Sequence, residues 1–240
     1  MLKRSKVAKM NKRYFGMYEG LFNEEIRDKE LKVNIETSIG LEEIIKSYEI
    51  FLENEFGTYP INRIEKINYT KKDIEYFCYE LKEYENHKNF DYSGAYISAL
   101  INNIIEDEDE VVLDLSGLKK AINYIGYQLK RGQVIVLGNI GLCTGMIMDG
   151  GKIIVKGNVD SVRNINFGNV VVEGDVGNVG YRMKGGEIII NGNAGYVGGS
   201  MTGGKIYLNG GYGEISKQIF GGEIYHKGKL ILPEKKIIKY

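Results

Sequence analysis

The strongest constraint in this sequence is a repeat of about eighteen residues that fills its second half. Six segments, QVIVLGN, KIIVKGN, NVVVEGD, EIIINGN, KIYLNGG and EIYHKGK, align on Gly138, Gly157, Gly174, Gly192, Gly210 and Gly228, at spacings of 19, 17, 18, 18 and 18. A degenerate copy, VVLDLSG, ends at Gly117, 21 residues upstream. A second stripe, Leu129, Met148, Ile165, Met183, Met201 and Ile219, keeps the same series of steps. Two stripes held in phase mark a unit that buries its apolar side only by stacking on its neighbours.

Counting back from each glycine shows which side faces in. Position −4 holds Leu113, Val134, Ile153, Val170, Ile188, Ile206 and Ile224; position −2 holds Leu115, Val136, Val155, Val172, Ile190, Leu208 and His226. Strand alternation puts both columns inward and the −1 column (Ser116, Leu137, Lys156, Glu173, Asn191, Asn209, Lys227) outward. The −3 column, Ile135, Ile154, Val171, Ile189, Tyr207 and Tyr225, is an apolar stripe that calls for a cover. A strand that returns every eighteen residues, with short strands on its return path, meets its own equivalent in parallel. The expected fold is therefore mainly β: a right-handed parallel β-helix of about seven coils from Val111 to Ile231, roughly 30 Å long at about 4.8 Å per coil. The glycines then belong to corners, where positive φ or close stacking is needed. Asn139, Asn158, Asp175 and Asn193 follow the first corner, as residues that tolerate the left-handed conformation and can ladder from coil to coil. The pairs Gly150/Gly151, Gly185/Gly186, Gly203/Gly204 and Gly221/Gly222 mark a second corner. A phosphate cradle needs one glycine-rich turn feeding a helix; turns repeated in series and feeding strands point to folding instead.

The first half is different in kind. Residues 1–110 hold 5 of the 32 glycines and carry 16 Lys+Arg against 23 Asp+Glu, a net of −7; residues 111–240 carry 16 against 9, a net of +7. The organisation expected is a mostly helical segment over 1–110 and a β-helix domain over 111–240. Helical spacing runs through Leu41, Ile44, Ile45, Tyr48, Phe51 and Leu52, with Ser38 as cap and Gly57 as stop. Thr70 and Asp73 form a capping box ahead of Ile74, Phe77, Cys78 and Leu81. A third helix spans Ser93 to Ile105 and is placed to cap the first coil; the basic tail from Pro233 is placed to cap the last. Residues 1–37 read as a basic arm with a short strand at Leu31–Ile35. The helices at 40–56 and 70–86 have faces able to cover the −3 stripe, as does a second copy of the chain. The acidic run Glu106–Glu110 reads as a solvated loop.

Composition removes several functions. The balanced charge argues against a general nucleic-acid binder. No run of eighteen apolar residues is present, which argues against a membrane span, and the basic N-terminus lacks the apolar region of a secretory signal. Cys78 and Cys143 fit neither a disulfide framework nor a zinc site, and Cys78 reads as a core residue. A cytoplasmic setting follows. His226 reads as a polar end-cap of the last coil, and Arg163, Arg182 and Lys184 as a basic spot on an outer turn. No nucleophile–base pair can be read from the chain, so no catalytic, cofactor-binding or metal-binding residue is expected, and no cofactor.

The segments GNVGYRMKGGEIIINGNAGYVGGSMTGGKIYLNG and INYIGYQLKRGQVIV resemble the GXGXG-motif family, whose members occur in glutamate synthase, as the C-terminal domain of its large chain, and in formylmethanofuran dehydrogenase, as one of its separate chains. The likeness extends upstream to SGAYISALINNI and covers about residues 93–232. It implies a right-handed parallel β-helix giving structural and inter-domain support in a large oxidoreductase whose flavin, iron–sulfur and glutaminase chemistry resides elsewhere. The chain departs from that pattern at Asn164–Asn169, which lacks the usual glycines, and in having no amidotransferase or flavin-binding part. Three functions are in contention: a non-catalytic scaffold or interaction module, the same as a subunit of such a complex, and an enzyme with a site on an outer β-helix face. The partners expected are proteins, either oxidoreductase subunits or a second copy in a homodimer, and neither nucleic acid nor membrane.

Overall fold

The computed structural model describes residues 38–54, 64 and 66–232. Among these residues three α-helices lead into twelve strands: α1 Ser38–Glu53, α2 Lys71–Glu80 and α3 Ser93–Ile104. The predicted capping box is present, with Thr70 N–H donating to the Asp73 carboxylate at 2.8 Å and Asp73 N–H to the Thr70 hydroxyl at 3.3 Å. Ile44, Tyr48, Phe51, Ile74, Phe77 and Tyr96 are buried together, and Tyr48 meets the rings of Phe77 and Tyr96 at 4.9 and 5.1 Å. The Ser38 side chain, Gly57, the strand at Leu31–Ile35, the basic arm and the tail from Pro233 lie outside the described residues. Among those described, no helix is long and apolar enough to cross a membrane.

The repeat builds two sheets. The first has the order β1-β2-β3-β5-β7-β9-β11-β12, with β1 Glu110–Asp114, β2 Gln133–Leu137, β3 Asp149–Val155, β5 Phe167–Val172, β7 Glu187–Ile190, β9 Thr202–Leu208, β11 Gly221–His226 and β12 Lys229–Leu232. The second has the order β10-β8-β6-β4, with β4 Val159–Arg163, β6 Val176–Tyr181, β8 Ala194–Val197 and β10 Tyr212–Ile215. All pairings are parallel except β11 with β12. The −4 column is the register itself: Val134 pairs Ile153, then Val170, Ile188, Ile206 and Ile224. From Leu113 to Ile224 that column is 0% exposed, and the −2 column from Leu115 to Leu208 is at most 2% exposed. Each such Val, Ile or Leu contributes about 1.5–3 kcal/mol of burial.

The chain is thus a parallel β-solenoid behind a helical segment, with about five turns rather than seven. Seven parallel strands do line the first face, but the return path gains regular strands only from β4 onward. Before that, pairing is limited to the bridges Ile140–Val159 and Thr144–Val162. The long first copy supplies the reason. Its return path runs as turns that serve α3 instead: Ser98 Oγ accepts from Gly126 N–H at 2.8 Å and Asn102 donates to the Tyr127 carbonyl at 3.0 Å. At the other end, β12 folds back antiparallel and stops the stack.

The two reasons for a corner glycine are divided among the coils. Gly192, at the first corner, has no positive φ; it is small because an added Cβ would lie 2.4 Å from the carbonyl oxygen of Gly174 in the coil before. The second-corner Gly186, by contrast, stands at φ +75°. The Asn/Asp column is not left-handed either. It forms a ladder in which each Oδ1 accepts a backbone N–H from the next coil: Asn139 from Asn158 at 2.8 Å, Asn158 from Asp175 at 2.8 Å, Asp175 from Asn193 at 2.6 Å and Asn193 from Gly211 at 2.9 Å. The left-handed side-chain-bearing residues form another column, Gln128, Ile147, Asn164, Arg182 and Ser200, directly before the second inward stripe. The coil holding Asn164–Asn169 is one residue short because Val162 pairs Val179 and Arg163 pairs Tyr181, leaving Gly180 as a bulge with no counterpart. Within the segment, Gly168 keeps a positive φ, and by the Asn169–Glu187 register Phe167 stands where the next coil has Gly185.

The helices do not cover the −3 stripe. Helix α2 packs on β1 at the start of the stack, where the Glu75 carboxylate accepts the Val112 N–H at 3.1 Å. The stripe is half-buried along its length, with Tyr207 and Tyr225 stacked at 5.0 Å.

Candidate functional site

The basic spot proves to be two arginines rather than three cations. Arg163 ends β4 and its register partner in the next coil is Tyr181, the last residue of β6. The next residue, Arg182, is left-handed (φ 53°) and its N–H is fixed on the Gly199 carbonyl at 2.8 Å. Both guanidinium carbons consequently lie 5.2 Å from the centre of the Tyr181 ring. Glycine at 199 makes room: a Cβ there would sit 3.0 Å from the Tyr181 ring and 2.9 Å from the Tyr196 ring. Lys184 is exposed on the following turn and does not join the pair on the ring. The ring between the arginines was missed in the sequence, although the eighteen-residue step from Arg163 to Tyr181 carries it.

Arg163 is half-buried, and its Nε is sealed from solvent without a hydrogen-bond partner; the same holds for Oδ1 of the adjacent Asn164. Close by, Tyr124 is held above the usual phenol range, first by burial and then by the neighbouring Cys143, with the Arg163 charge opposing. Cys143 is 6% exposed and left-handed, and its N–H donates to Ser161 Oγ at 3.0 Å.

Cys78 is a core residue: it is buried on α2, and burial, with the Glu75 and Asp114 charges, pushes its thiol far up. Both cysteines are free. Among the described residues no three of His, Cys, Asp and Glu gather where they could hold a metal ion. The acidic run is tied at three points, Asp109 to Lys71, Glu106 to Arg131 and Glu110 to the Gln133 amide. In the −1 column, Lys156, Glu173, Asn191 and Asn209 bond in series at 3.3, 2.8 and 2.8 Å; the Asn191 and then the Lys156 bonds hold the Glu173 carboxyl below its ordinary range.

His226 takes its place at the end of the stack. It is half-buried, its Nε2 lies 3.1 Å from the Gly210 carbonyl oxygen, and its ring meets Tyr212 edge-on at 4.9 Å. Tyr212 occupies the column that holds Val176 and Ala194 inside the stack, yet it is 39% exposed. Phe220 (74%) and Leu230 (37%) are exposed in the last turn and the closing hairpin. Among the described residues this is an open apolar end, with Lys217, Lys227 and Lys229 exposed in the same turns.

No protein family, curated protein or solved structure matches the chain.

Proposed function

We propose that this chain is a non-catalytic scaffold, an interaction module that presents a stiff β-solenoid to protein partners. The observation that carries the reading is the open end of the stack. Tyr212, Phe220 and Leu230 expose apolar area there, and β10 is an edge strand of the second sheet. Exposed rings beside an unpaired edge are what a docking partner covers. The resemblance to the GXGXG family extends the proposal: a cytoplasmic subunit of a glutamate-synthase-like or formylmethanofuran-dehydrogenase-like oxidoreductase complex, whose partners are the redox subunits or a second copy of this chain. The competing reading, an enzyme using an outer face, would draw on the −1 column, where Glu173 is already committed to Asn191 and Lys156.

Amine-reactive cross-linking in cells that make the protein tests the proposal, because Lys217, Lys227 and Lys229 are exposed in the last turn and the closing hairpin. The expected result is cross-links from these lysines to one partner: a flavin or molybdopterin enzyme subunit, or this chain itself. Only intrachain links, together with a purified monomer that turns over a substrate unaided, would overturn it.

A further inference from the structure

We propose that Arg163 and Arg182, mounted on Tyr181, form a binding site for an oxyanion, the carboxylate or phosphate group of a small molecule. Three arginines fall among the described residues. Arg131 is paired with Glu106 at 2.8 Å; Arg163 and Arg182 have no ion pair or hydrogen bond to an acid among those residues. A guanidinium keeps its charge at any pH the protein survives and offers a planar fork of donors that matches a carboxylate or phosphate. Two cations held 5.2 Å from the centre of one ring raise the local positive potential, and an anion gripped by either fork lowers it. The ring itself adds no compensating negative charge beyond its π face.

The Nε of Arg163 is sealed and lies out of an anion's reach, a donor held without an acceptor; the terminal nitrogens, which are not sealed, are the ones left for end-on recognition of an oxyanion. The site is also prebuilt. Arg163 lies in a strand, Tyr181 is held in register with it, and the Arg182 backbone is pinned to Gly199. Little ordering is then lost on binding. Lys184, a flexible cation on the adjacent turn, provides the internal comparison: a diffuse basic patch would use it, whereas a site built on the ring would not.

The experiment is isothermal titration calorimetry of the full chain with sodium phosphate and with sodium succinate, at constant ionic strength and against sodium chloride. We expect saturable binding of at least one probe at one per chain; which of the two binds tells phosphate from carboxylate chemistry. Arg163→Lys keeps the charge and loses the fork, and Arg182→Ala removes an exposed side chain. Each should weaken binding at least tenfold with an unchanged melting temperature, while Lys184→Ala leaves it unaltered. No saturable heat with either probe would overturn the proposal, as would equal binding in the wild type and both arginine variants, or a loss in Lys184→Ala as large as in Arg163→Lys. The outcome is independent of the cross-linking result, which concerns the last turn of the stack rather than these middle coils.

Discussion

Among the described residues the solenoid is closed at its first strand and open at its last. The closed end is made by sequence outside the repeat. Helix α2 lies along β1 and its Glu75 takes up the Val112 N–H, while α3 bonds to the turns of the first return path through Ser98 and Asn102. The open end is made of the repeat itself, running out. Tyr212 and His226 stand in inward columns without a further coil over them, and Phe220 projects from the last turn. A repeat specifies its neighbours but not its termination, so each end needs its own device. Here one device is a hydrophobic helical cap and the other is a polar ring pair with a backfolded hairpin.

That contrast can be broken most decisively in the inward columns. Ile190 is 0% exposed in the middle of the stack, and Ile190→Asp buries an unpaired charge at a cost of several kcal/mol. The expected outcome is loss of the cooperative melt by circular dichroism. His226 sits in the same −2 column at the open end, where His226→Asp should cost only about 1 kcal/mol, the value of a modest hydrogen bond. Equal damage at both positions would mean that the open end is covered in solution. Next in size is a pair of phenylalanines. Phe77→Ala empties a fully buried site in the helical cap, a loss of about 3–5 kcal/mol. Phe220→Ala, at 74% exposure, should stay within about 0.5 kcal/mol. Denaturant midpoints of the two variants measure the difference directly.

Much of this was legible in the sequence, and the reasons are physical. The inward columns were readable because alternation has a strict period and every coil repeats the test; the register pairs Ile153, Val170, Ile188, Ile206 and Ile224 as the glycine alignment requires. The Thr70–Asp73 box was readable because a capping box is local. Placement of one element against another was legible only in part: α3 does meet the first coil as expected, but the cover of the −3 stripe does not follow. The helices were assigned to the −3 stripe by their apolar faces alone, and an apolar face does not say which surface it meets; they went to the end of the stack, where β1 offered unpaired backbone as well. The coil count was overstated because a strand was assumed on every return path, although the first, longer path has no β-prone run. The Arg163–Tyr181–Arg182 arrangement was half visible: the two arginines stood out as charges, but the ring joining them is seen only once coils are stacked and neighbours are counted across eighteen residues.

The closed end carries a further signature that the open end lacks, and alkaline pH exposes it. Tyr69 is buried with its hydroxyl donating to the Leu100 carbonyl at 2.9 Å, and burial pushes its pKa up to about 12; burial drives Tyr48 higher still. In the unfolded chain both phenols titrate near pH 10, by the usual value of about 10 for tyrosine. A folded pKa raised above the unfolded one gives stability that is complete below about pH 10 and is lost as pH climbs toward about 12. Tyr225, near the open end, also titrates late, but for another reason: its hydroxyl donates to the exposed Glu223 carboxylate at 2.7 Å, and that bond comes ahead of burial as the cause. The two causes separate in salt, since screening weakens an exposed charged contact and leaves desolvation almost untouched. Melting temperatures across this pH range should therefore fall in high and low salt alike, and Tyr69→Phe should flatten part of the fall, because phenylalanine has no proton to lose. If added salt abolishes the fall, or if Tyr69→Phe melts with the wild-type pH profile, the alkaline weakness belongs to the open end, and the helical cap is not the pH-sensitive part of the molecule.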